Sequence, residues 1–94
     1  MKSLPIYLVE VLIENKPLAR DPEGETIYKD LILRSGYDSV RSVRVGKMLR
    51  LEIESVNEED AKNLAIKLCD DLRIYNPVVH TYRVEIRGKK DEYK

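Results

Sequence analysis

Apolar residues recur with two different periods along this chain, and the order in which those periods alternate limits the folds open to it. Tyr7, Val9, Val11 and Ile13 repeat every second residue, the spacing that lines one face of a β-strand. Ile27, Tyr28, Leu31 and Ile32 repeat at helical spacing. Leu49, Leu51 and Ile53 return to the period of two, Ala61, Leu64, Ala65, Leu68 and Leu72 to the helical one, and Tyr82, Val84 and Ile86 to the period of two again. Strand, helix, strand, helix, strand is the order of an α+β layer pair. The expected fold is an antiparallel sheet with two helices on one face, β-α-β(-β)-α-β, ferredoxin-like in outline.

Local chemistry sets the boundaries. The first strand is expected over Pro5 to Glu14. Asp21 can accept from the free N–H groups of a helix start, Pro22 suits the first helical position, and Glu23 and Glu25 favour that helix's positive end. Gly36 is placed to close the helix in a left-handed conformation, so a helix from about Pro22 to Ser35 is expected. Asn57, followed by Glu58, Glu59 and Asp60, opens the second helix, in which Leu64 is expected to be buried with the rest of the stripe. Asn76-Pro77 breaks that helix. From Gly88 the apolar period stops, so the expectation is a single α+β domain over 1–87 and a flexible C-terminal tail over 88–94.

The middle segment is constrained by parity, since Val43, Val45, Leu49, Leu51 and Ile53 all carry odd numbers. A two-residue hairpin loop at Gly46-Lys47 would set Val43 opposite Arg50 on one face. A three-residue loop, or a long strand bent at Gly46, keeps all five together. Gly46 is expected to supply backbone freedom there and Lys47 to face water. The second face of the first strand, with Ile6, Leu8, Glu10, Leu12 and Glu14, is half apolar, which makes it a candidate oligomer surface.

Ninety-four residues make one domain, with 17 basic and 17 acidic side chains balancing to zero. No global field draws this chain to nucleic acid or to an anionic membrane. The apolar runs are too short to span a bilayer and no signal peptide is apparent, so a cytoplasmic location is expected. The lone Cys69 reads as a buried structural thiol, the lone His80 as a strand-edge residue, and together they form no recognisable metal motif. Gly46-Lys47 is not a phosphate loop, because Arg41 and Met48 stand where that motif needs glycine and a hydroxyl residue. The acidic cluster Glu58-Glu59-Asp60 fits a helix start, and Asp70-Asp71 reads as a solvated face. Base stacking on the sheet is expected to lack its aromatics, since Leu49, Leu51 and Ile53 are expected to line the central strand.

Three motifs carry a resemblance: "DPEGETI" after the first strand, "VRSVRVGKMLRLEI" in the middle, and "NPVVHTYRVEI" near the end. In that order and spacing they resemble the small PurS subunits of formylglycinamide ribonucleotide amidotransferase, over about Ile6 to Ile86. The residues matching the family pattern are Asp21, Pro22 and Gly24, then Arg44, Gly46 and Lys47, then Cys69, then Asn76, Pro77 and Tyr82. His80 departs from it, standing where the family usually has an acid. The resemblance implies a non-catalytic subunit, a homodimer or tetramer, that bridges the synthetase and glutaminase subunits and helps ammonia pass between them. It implies no cofactor in this chain, with ATP and magnesium on the partner synthetase. Asp21, Pro22, Gly24, Arg44, Gly46, Lys47, Asn76, Pro77 and Tyr82 are then the candidate docking or dimer residues. The alternative from the residues alone is a ferredoxin-like module that binds a small ligand or RNA.

Overall fold

The computed structural model describes residues 4–90. Strands β1 (Ile6–Asn15), β2 (Gly46–Glu54) and β3 (His80–Lys89) form one antiparallel sheet in the order β2-β1-β3. Helix α1 (Pro22–Thr26) runs on into a π-helical turn, Ile27–Ile32, and a 3-10 turn, Leu33–Ser35. Helix α2 (Glu58–Leu72) lies between β2 and β3 in the chain. The α+β class is as expected, with three strands among the described residues.

The core forms where the apolar face of β1 meets its neighbours. Val9 sits opposite Leu51 and Ile86, and Val11 opposite Leu49 and Val84; both valines are fully buried. Each such side chain contributes roughly 1.5–3 kcal/mol of burial free energy. Helix α2 covers this face through Ala61, Ala65 and Cys69, all with 0% exposure. Small residues at every fourth position let the helix axis approach the sheet closely. That narrow seam leaves Leu64 47% exposed, so the stripe expected from periodicity is wider than the one the sheet covers. Asn57 caps α2 by accepting the Asp60 N–H at 2.7 Å, and Arg73 closes it in the left-handed region.

The middle segment is neither a hairpin nor a strand bent at Gly46: β2 begins at Gly46, and Val43 and Val45 precede it outside the ladder. The backbone N–H of Val45 is taken at 2.8 Å by the Asp21 carboxylate. Gly46 does not have a positive φ. Its glycine is required by proximity, because a Cβ there would stand 2.6 Å from the carbonyl oxygen of Ile13. At the other end β3 continues through Gly88 to Lys89, past the point where the sequence suggests a tail. A bulge there sets Ile86 against Val9 and Gly88 against Leu8, and the positive φ of Gly88 accommodates the extra residue. Residues 91–94 of the expected tail lie outside the described residues.

The first helical segment uses its apolar stripe differently from α2. No residue of Ile27–Ile32 is buried, and Leu31 is 60% exposed. The chain's radius of gyration is 17.2 Å, against about 12 Å for a compact chain of this length. The second sheet face is also not as its pattern suggests. Leu8 and Glu10 are both buried there, Glu10 between Arg50 of β2 and Arg87 of β3, so long basic side chains already cover its middle. No helix among the described residues is long and apolar enough to cross a membrane.

Candidate functional site at one end of the sheet

The three motifs, distant in the chain, meet at one end of the sheet. Asp21 organises the meeting. One carboxylate oxygen accepts the Gly24 N–H at 3.1 Å, capping α1, and the other accepts the Val45 N–H, which ties the entry of β2 to the start of the helix. Those two bonds, the one from Val45 first, hold the carboxyl below the usual aspartate range. Gly24 is buried beneath this junction: a Cβ would come within 2.6 Å of the Asp21 carboxylate and 2.7 Å of the Val43 carbonyl oxygen. Gly24→Ala is expected to cost about 1–3 kcal/mol by overpacking, read as a lower urea midpoint with unchanged slope.

Arg44 lies on the outer side of the same junction and donates to the carbonyl oxygens of Asn15 at 3.0 Å and Lys16 at 2.9 Å. It thereby fixes the turn that leaves β1. Gly46 and Lys47 line an open cleft of about 390 Å³ together with Asp21, Glu23, Ile74 and His80. Asn76 and Pro77 line a second cleft that shares Ile74 and His80 with the first. The turn carrying them is bonded to itself: Asn76 Oδ1 accepts the Val78 N–H, and His80 Nδ1 accepts the Asn76 N–H at 3.1 Å. At position 80 the turn needs an acceptor, which an imidazole nitrogen supplies as well as a carboxylate oxygen. The Lys16 N–H to Val79 carbonyl bond, 2.8 Å, joins this turn to the end of β1.

Tyr82 stands apart from that cluster. Its hydroxyl and that of Tyr75 both donate to one carboxylate oxygen of Asp70, at 3.0 and 3.3 Å, and the two rings lie 4.6 Å apart. Burial, then the bond to Asp70, pushes the Tyr82 hydroxyl up to about 12. Asp70 is therefore a fastener between α2 and β3, while Asp71 pairs with Lys67 on the helix surface. Pairing between distant elements gives no signal in a linear sequence, so Asp70 reads there as part of a solvated face, whereas the structure engages it with Tyr75 and Tyr82.

The polar side chains of the cluster are largely engaged in holding its own backbone. The Asp21 carboxylate is committed to two backbone N–H groups. His80 uses one ring nitrogen to hold its own turn. Cys69 is fully buried, and burial pushes its thiol up, away from the reactive thiolate. Among the described residues no group of three or more His, Cys, Asp or Glu is placed to hold a metal ion. Tyr7 is 5% exposed, so it offers no ring to a nucleic acid base.

The family model for PurS, phosphoribosylformylglycinamidine (FGAM) synthase, matches residues 8–88. The chain is 36% identical over 81 residues to phosphoribosylformylglycinamidine synthase subunit PurS of Thermotoga maritima, covering 86% of this chain and 96% of that one. The crystal structure of the purS subunit from Thermotoga maritima superposes with a TM-score of 0.80 at 35% identity, over 90% of this chain and 95% of that one. A structure of PurLQS from the same organism contains a chain that superposes with a TM-score of 0.78 at 35% identity, over 88% of this chain and 99% of that one. With that match over most of its length, the chain belongs to the PurS family of FGAM synthase.

Proposed function

We propose that this chain is the non-catalytic assembly subunit of a glutamine-dependent phosphoribosylformylglycinamidine synthase in purine biosynthesis, working in the cytoplasm as a homodimer or tetramer. It bridges the synthetase and glutaminase subunits and aids the passage of ammonia between them. ATP and magnesium act on the synthetase, and this chain holds neither. The observation that carries the reading is the convergence of Asp21, Gly24, Arg44, Gly46, Lys47, Asn76 and Pro77 on one end of the sheet, with the side chains of Asp21, Arg44 and Asn76 committed to holding turns. Preorganised turns lose little entropy on docking, which suits a surface meant for other polypeptides. The likeness to a chain of a PurLQS structure supports the same reading.

Size-exclusion chromatography with light scattering tests it. Mixed with the synthetase and glutaminase subunits, the chain is expected to elute with both in one complex. Unchanged elution of all three proteins would remove the proposal.

A further inference from the structure

The turn that carries Asn76 and Pro77 closes on itself, and one of its acceptors can gain a proton. Pro77 has no N–H to satisfy. The Val78 N–H goes to Asn76 Oδ1 at 3.0 Å, and the N–H groups of Val79 and His80 both go to the Asn76 carbonyl oxygen, at 3.1 and 2.7 Å. The Asn76 N–H completes the set by donating to His80 Nδ1 at 3.1 Å. Asn76 and His80 therefore hold each other in both directions. The first three bonds end on amide oxygens, which keep their lone pairs across the ordinary pH range. The last ends on the chain's one imidazole, and imidazoles change charge between about pH 5 and 8. To accept there, Nδ1 carries no proton, so the neutral ring holds its hydrogen on Nε2.

We infer that His80 is a proton-operated latch on this turn, closed while the ring is neutral and opened when the ring becomes an imidazolium. Both nitrogens of an imidazolium carry hydrogen, and neither can accept. Nδ1–H and the Asn76 N–H would then point at each other, so the ring swings away and the Asn76 N–H turns to water. His80 is half-buried, which lets a proton reach the ring without unfolding. Its movement has a consequence because the ring, with Ile74, lines both clefts at the end of the sheet where the motifs meet. The charged groups lining those clefts with it are Asp21 and Glu23 at the start of α1, Lys47 of β2, and Arg73 at the end of α2. Asn15 of β1 is uncharged, and the Tyr75 hydroxyl is donated to Asp70. Among the described residues none of these is hydrogen-bonded to the ring, and the Asp21 carboxylate is already taken by two backbone N–H groups. The ring's charge therefore acts first on the turn.

Nuclear magnetic resonance on the isolated chain tests the latch, and neither outcome touches the assembly reading, whose own failure would be the absence of a complex with the two larger subunits. With one histidine in the chain, the ring signals belong to His80 without ambiguity. At about pH 8 the ring nitrogens are expected to show the Nε2–H tautomer. As pH falls to about 5, the Asn76 amide proton is expected to move upfield on the same curve as the ring signals. Its exchange with water, corrected for the intrinsic effect of pH, is expected to quicken about fivefold or more. His80→Asn puts an amide oxygen as many bonds from the backbone as Nδ1, with no charge to gain. In that variant the Asn76 amide is expected to stay constant over the same range. An Nδ1–H tautomer, an Asn76 amide that stays put while the ring titrates, or the same response in His80→Asn would overturn the latch. Should His80→Asn not fold, the tautomer and the paired titration of ring and amide in the unsubstituted chain decide the matter alone.

Discussion

Replacing Ala65 by aspartate is expected to abolish folding. Ala65 has no exposed surface, lying on α2 where the helix meets the core cluster of Tyr7, Val9 and Ile53. A carboxylate there has no partner and no water, which costs several kcal/mol or forces it to take up a proton. Native domains of this kind are stable by only about 5–15 kcal/mol. The control is one residue earlier. Leu64→Asp places the same charge on the same helix at a position 47% exposed and is expected to leave a cooperative thermal transition intact. Circular dichroism on the two variants checks both. A folded Ala65→Asp beside an unfolded Leu64→Asp would mean that α2 presents the opposite face to the sheet.

The second large effect is expected at Glu10, whose carboxylate joins all three strands on the other sheet face. Arg87 Nε donates to it at 2.6 Å and Arg50 Nη2 at 3.0 Å, from strands on either side. The bonds to Arg87 and then Arg50 hold this carboxyl below the usual glutamate range. A group lowered in the folded state stabilises it fully above its ordinary value, 4.5, and the contribution is lost as pH falls through the lowered native value. Glu10→Gln is therefore expected to be markedly less stable than the unsubstituted chain at pH 7 and to converge with it in acid. Urea midpoints across that range give the comparison. A constant difference at every pH would show that packing, and not charge, is what Glu10 contributes.

Sequence patterning made the architecture legible wherever one chemical signal sufficed. Asp21 as a cap, Pro22 behind it, Gly36 at the left-handed close and Asn57 at the start of α2 are local rules, and each is met by the backbone geometry. What the pattern could not carry was the number of neighbours each face would find. Leu64 and Leu31 belong to correct helical stripes, but a three-stranded sheet under one helix has room to bury only part of them. Glu10 looked like a polar interruption of an apolar face. Its two arginines lie 40 and 77 positions away, and only the strand order brings them to it. For the docking end, motif resemblance supplied the residue names, while the hydrogen bonds of Asp21 and Arg44 supplied the reason they belong together.

This chain is proposed above to contribute surfaces to a synthase and no reaction centre of its own. That proposal's most direct test is turnover by the purified synthetase and glutaminase with and without this chain, supplied either with glutamine or with ammonia. Glutamine-dependent turnover is expected to require the chain, and ammonia-dependent turnover by the synthetase is expected to persist in its absence. Equal glutamine-dependent rates with and without it would contradict the account.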